Sequence, residues 1–129
     1  MSKTDYLELE VLKWCCSQAN ALGATPTTYV ALYTTTPTES AAGVETSYGG
    51  YARQGASGKF AAPAAGSVAN NAAITFPVVA SGTPTIVGCA LCDAVSAGNI
   101  LRWQTITGIA FAVNDQPNFP IGSITFTED

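Results

Sequence analysis

With 129 residues, 47% of them hydrophobic, the chain has the size and apolar content of one domain with its own core, not of separate cofactor and substrate modules. Charged residues are only 11% of the chain, and five basic against nine acidic groups give a net charge of −4, which cannot supply the cationic patch that nucleic acid requires. Histidine is absent, so Ser-His-Asp, Cys-His and His-metal chemistries are excluded.

Asp5 and Glu8 stand at capping-box spacing, and Leu9, Leu12, Cys16 and Ala19 follow at helical intervals. This predicts the one helix of the chain over about 5–20, ended by Gly23 and Pro26. The period then changes. Residues 28–34, Thr-Tyr-Val-Ala-Leu-Tyr-Thr, have the β-branched and aromatic composition of a strand closed by Pro37. Residues 35–50, with Pro37, Gly43, Gly49 and Gly50, read as a long polar loop. A short strand is expected over 51–54. Residues 56–71 are mostly Ala, Gly, Ser, Pro and Asn, interrupted by Phe60 and Val68, and read as loop or edge. Strand-like segments follow at 73–76, 85–87 with 89–91, 99–103, 109–113 and 123–127. The expected fold is mainly β, an antiparallel β-sandwich of jelly-roll type with one N-terminal helix, forming a single domain over 1–129. No apolar stretch reaches the roughly 20 residues of a membrane-spanning helix. The first residues lack a basic n-region and an apolar h-region, so synthesis in the cytoplasm is expected.

Cys89-x-x-Cys92 has the local spacing of a zinc or redox pair. Its context is an apolar strand, where positions three apart face opposite sides of a sheet, and the adjacent Cys15 and Cys16 are poor partners for one tetrahedral ion. Buried core thiols are the favoured reading, a disulfide among Cys15, Cys16, Cys89 and Cys92 the next, and zinc the last. Cys16 shares the apolar helix face, which leaves Cys15 as the more exposed of the pair. Among carboxylates, Glu39, Glu45, Asp93 and Asp115 sit in predicted turns or loops and read as solvated acids. Arg53 and Arg102 lie within strand-like segments, where pairing with a carboxylate is favoured over substrate binding. Gly49-Gly50 lacks the strand-to-helix setting of a phosphate loop and reads as a turn. Trp14 and Trp103 could stack on sugars, but core or subunit interface is the stronger assignment. The residues singled out for partner contact are Tyr48, Gly49, Gly50, Tyr51 and Phe60, within or beside the two long irregular segments. No catalytic, cofactor or metal residues are expected, and no enzyme.

The chain carries an N-terminal Thr-Asp-Tyr-Leu-Glu helix, then Tyr29-Val30-Ala31-Leu32-Tyr33-Thr34-Thr35-Thr36-Pro37, then Tyr48-Gly49-Gly50-Tyr51-Ala52-Arg53. Further on come Asn71-Ala72-Ala73-Ile74-Thr75-Phe76-Pro77, Gly88 to Ala94, Gly98-Asn99-Ile100-Leu101 and Ile124-Thr125-Phe126. In this order the segments resemble a family of small tailed-bacteriophage virion proteins often labelled tail-fibre-like. The four cysteines stand where that family is expected to have apolar or small residues. The resemblance implies a virion structural protein made in the host cytoplasm, with no catalytic residues. It leads to an expected role as a capsid decoration or cement module. The partners would be the major capsid protein or other virion proteins, in a homo-oligomer with a trimer favoured. Neither nucleic acid nor membrane is an expected partner. The alternative is a tail tube, fibre or tip component. Receptor or glycan binding would then use exposed aromatics such as Tyr48 and Tyr51.

Overall fold

The computed structural model describes residues 4–127. Helix α1 (Asp5–Cys15) starts at Thr4, whose hydroxyl accepts from the Leu7 N–H, and Asp5 and Glu8 place negative charge in the first turn. The helix stops well short of residue 20 because its end is captured. Cys16 N–H turns back to the carbonyls of Leu12 and Lys13, and Ser17 adopts a left-handed φ of 58°. The Ser17 hydroxyl then accepts from Thr28 N–H at 2.9 Å, while Thr28 Oγ1 donates to the Cys15 carbonyl at 2.7 Å. The buried Thr28 thus satisfies a helix-end carbonyl that would otherwise be orphaned, and ties the helix to the strand that follows.

The main sheet contains β1 (Tyr29–Thr35), β2 (Val44–Glu45), β3 (Gln54–Gly55), β6 (Thr85–Cys92) and β7 (Ile100–Ala110). It runs β2-β1-β6-β7, all antiparallel, with β3 also pairing with β1. The loop expected over 35–50 therefore contains a strand. The separate strands expected at 99–103 and 109–113 are one strand, because the intervening Gln-Thr-Ile-Thr-Gly is uncharged and rich in β-branched residues and stays against β6. The remaining strands are two short ribbons: β4 (Ser67–Ala69) with β9 (Thr125–Thr127), and β5 (Ile74–Thr75) with β8 (Asn118–Phe119). The segment read as loop or edge at 56–71 supplies β4.

The two layers meet in one apolar core. Val30, Leu32, Ile86, Cys89 and Leu91 of the main sheet pack with Phe60, Val68, Ile74, Phe76, Phe119, Ile124 and Phe126, and with Leu12 and Cys16 at the helix end. A smaller cluster of Ala31, Tyr33, Ala90 and Cys92 lies on the other face, bordered by Ile100 and Trp103. The fold is mainly β and sandwich-like, with one N-terminal helix. No helix among the described residues is long and apolar enough to cross a membrane.

The ribbons are short, so a side chain does part of their joining. Asn70 is 2% exposed. Its Nδ2 donates to the carbonyls of Ala72 (2.9 Å), Pro120 (3.0 Å) and Phe119 (3.4 Å), and its Oδ1 accepts from Ile124 N–H at 3.0 Å. Replacement by Ala strands a buried donor and several acceptors, and should cost about 1–3 kcal/mol in urea unfolding. Asn70→Asp should be at least as damaging at neutral pH, because it sets a carboxylate against three carbonyl oxygens. Acidification, which restores one donor, should recover part of that loss.

Candidate functional site

Between β1 and the turn at 93–99, the chain builds a connected polar network. Glu45 at the end of β2 accepts two bonds from the Arg53 guanidinium, Nε to Oε2 at 2.9 Å and Nη2 to Oε1 at 2.8 Å. The second face of the guanidinium is also used, since Nη1 donates to the carbonyls of Ala94 (2.7 Å) and Ala97 (2.9 Å). Tyr51 donates to Glu45 Oε2 at 2.6 Å, and the same hydroxyl accepts from Leu32 N–H at 3.1 Å. The Arg53 side chain is only 7% exposed, so this is a partly desolvated, bidentate ion pair, unlike a loose surface contact. Arg53 pairs with a carboxylate as its sequence setting suggests, and Glu45 is not the solvated turn acid expected of it.

The electrostatics follow from these contacts. Burial pushes the Glu45 pKa up, but the hydrogen bonds from Arg53 and Tyr51 outweigh it and hold the carboxyl below its usual range. Burial, then the bond to Glu45, raise the Tyr51 phenol, so it remains a donor. Asp93 is lowered by accepting from the backbone and side-chain nitrogens of Asn99, at 2.7 and 2.9 Å, and these bonds close the turn that Arg53 grips.

Segment 45–48 separates two open clefts. The first, about 350 Å³, lies between this segment and residues 81–84, and is lined by Thr34, Glu45, Ser47, Ser81 and Thr83 with Val44 and Pro84. The second, about 470 Å³, is bordered by Tyr51, Arg53 and the exposed Val95. The buried Thr46 hydroxyl sits between them without a hydrogen-bond partner among the described residues.

The structure brings together four of the five residues singled out for contact, and gives them structural work. Tyr48 is 6% exposed, donates to the Pro77 carbonyl at 2.7 Å, and meets Tyr51 edge to face at 5.4 Å. Tyr51 in turn stacks on Phe76 at 6.3 Å. Neither ring offers the open face that a sugar would stack on. Gly49 pairs with Ser81 through backbone bonds so close that a side chain there would strike Ser81, and Gly50 holds a φ of 90° that other residues rarely adopt. Phe60 is not at the surface: it is 6% exposed and packs on Phe126. Residues 81–84, which form one wall of the first cleft, carry no motif and were not singled out from sequence.

All four cysteines are free and buried. Cys15, expected to be the exposed one, is 4% exposed because the chain reversal at Ser17 folds the helix end inward. Cys89 lies in the main core and Cys92 in the cluster on the opposite face, so the sheet separates this pair. Burial pushes the Cys16 and Cys89 thiols up to about 12 and raises those of Cys15 and Cys92. These are inert core thiols, and a disulfide to another subunit would require the core to open.

A family model described as Podophage GP4 fiber I protein gp80 matches residues 2–127. The chain belongs to this fibre-protein family. It is a bacteriophage virion structural protein, and the Glu45–Arg53–Tyr51 network lies inside the region matched. No curated protein matches the chain.

In this fibre-family domain, Tyr51→Phe removes the partner of Leu32 N–H and one bond to Glu45, and should lower stability by about 1–3 kcal/mol. The carboxyl pKa is depressed on folding, so its contribution is fully present above the ordinary value of 4.5 and disappears as pH falls through the depressed one. Wild type should therefore lose stability on acidification through that window more steeply than Glu45→Gln, when both are compared by thermal unfolding across pH.

Proposed function

We propose that the chain is a structural building block of a phage fibre, a non-enzymatic domain that holds a fixed shape and presents neutral surface to other virion proteins. The observation that carries this reading is the extent of the family match, which covers the whole folded unit and not one motif. The chemistry of the domain supports it. Its best-organised polar groups, Glu45, Arg53, Asp93 and Asn70, are engaged within the chain and leave little reactive chemistry for a substrate. Capsid decoration, which the sequence reading puts first, calls for the same neutral surface and takes second place because the matched family is described as a fibre.

Immunogold labelling of purified virions with antibody to this chain should place the gold on tail-associated fibres. Dense label over the heads would overturn the fibre assignment and restore shell decoration.

Receptor contact is favoured by one further feature, the first cleft. Its hydroxyls from Ser47, Ser81 and Thr83 alternate with the apolar surfaces of Val44 and Pro84, a lining suited to a neutral, hydroxyl-rich ligand such as a sugar. Thr83 is exposed, so Thr83→Trp should fill the cleft without disturbing the core. Phage carrying that change should adsorb more slowly while particle yield is unchanged; normal adsorption would exclude this cleft from host contact.

A further inference from the structure

Two clefts flank one stretch of chain. Glu45, Thr46, Ser47 and Tyr48 line both, and Ser47 is exposed between them. The linings are of one kind. Beyond the shared residues, the first cleft has the Ser81 and Thr83 hydroxyls beside Pro84, and the second has the Ser96 hydroxyl beside Val95 and Ala97. At about 350 and 470 Å³, each has the volume of a small-ligand site. Thr46 is 4% exposed, and its hydroxyl has no hydrogen-bond partner among the described residues. A buried hydroxyl in that state is costly until a bound group completes it, and this one belongs to a residue that borders both clefts.

The second cleft is held to a fixed width. Arg53 gives two bonds to Glu45 on one wall, and its other arm holds the Ala94 and Ala97 carbonyls, which ties the turn bearing Val95 and Ser96 to segment 45–48. A wall fixed beforehand lowers the ordering cost of binding. The same bonds restrict what can bind. Arg53 is the only cation in either lining and is already neutralised by Glu45, whose carboxylate is 27% exposed and borders both clefts, so an anionic ligand is disfavoured. An added peptide strand needs a free backbone edge, whereas the Thr46 N–H is spent on the Leu32 carbonyl and the Gly49 N–H on that of Ser81. A chain of neutral sugars matches better: each ring brings hydroxyls and an apolar C–H face, and the two clefts repeat that pairing on either side of Ser47.

We propose that the second cleft continues the first, and that together they bind a linear, neutral oligosaccharide crossing segment 45–48 over Ser47, an assignment that rests on host contact by the first cleft. Ser81 and Thr83 serve one end of the ligand, and Ser96 with Val95 serves the other. A single sugar occupies one open cleft only. A longer chain that reaches the second gains a tethered second contact, so affinity rises with the length of the ligand.

The test is calorimetric titration of the purified full chain with neutral oligosaccharide fragments, graded by length, from the surface polysaccharide of the host, with acidic fragments alongside. Wild type is compared with Thr83→Trp, which fills the first cleft, and Ser96→Trp, which fills the second. Ser96 and Thr83 are both exposed, and circular dichroism with thermal melting verifies that each variant is folded. Wild type should bind neutral fragments more tightly as they lengthen. Ser96→Trp should bind the shortest fragments as wild type does and the longest about tenfold or more weakly, while Thr83→Trp should weaken every length. A Ser96→Trp variant that keeps the wild-type rise with length, or that loses short and long fragments alike, would overturn the crossing and leave the first cleft to be judged by Thr83→Trp alone. Wild type that binds no fragment, or acidic fragments only, or a Thr83→Trp variant that binds normally, would overturn host contact by the first cleft and the crossing together.

Discussion

β1 is paired with β6 along one side, but along the other it meets only two dipeptide strands, and the backbone of Leu32 falls in the gap between them. A buried N–H left there without a partner would cost a good part of the stability of a domain this size. The Tyr51 hydroxyl fills the gap, and its position sets much else. A phenol that accepts from the backbone has its proton free to donate, and Glu45 receives it. Glu45, drawn out of water, requires a cation, and Arg53 supplies one with both arms. The other guanidinium nitrogen then holds the turn after β6 through two carbonyls. One unfilled backbone position thus links β1, β2, the segment before β3 and the turn between β6 and β7.

The rest of the molecule solves a similar difficulty in a similar way. Four of its strands are two or three residues long outside the main sheet, too short to be stable as isolated ribbons. Burial of their phenylalanines against the main sheet gives them a place, and the Asn70 amide gives them an orientation, because its four bonds are satisfied in one arrangement only. Apolar area supplies most of the driving force in both layers, and single polar side chains choose the geometry.

This division explains what could be read in the sequence. The long, strongly patterned strands β1 and β6 and the start of α1 were legible, because composition and period decide them locally. The helix end was not: nothing near Cys16 breaks a helix, and the signal that stops it is Thr28, twelve residues away. The dipeptide strands β2, β3, β5 and β8 carry too few residues to show a period, and they exist only through partners distant in the chain. At the candidate site the sequence draws attention to residues whose surroundings it does not show. Tyr48-Gly49-Gly50-Tyr51 stands out because aromatics flank two glycines, but the tyrosines face inward and the glycines allow Ser81 and Val78 to approach. Aromatic content alone cannot tell an exposed recognition surface from a small second core.

The neutrality of the chain has a physical counterpart in its role as a virion component. With 11% charged residues, a surface cannot hold itself apart from neighbours by charge, so the shape of its edges must do so. On the β1 side every outward group near the centre of the strand is taken, and no further strand can be added there. On the β7 side the register with β6 breaks where Ile106, Thr107 and Gly108 face Val87 alone, so that edge departs from the regular form that strand addition needs. A domain finished in this way resists indiscriminate sheet growth, although it is rich in Thr, Ile and Val and poor in charge. In a particle made of repeated copies, contacts that are individually small are multiplied by symmetry, so specificity of position matters more than strength at any one of them. Polar bonds spent on internal order, with few charged groups left over, suit the fibre role proposed above.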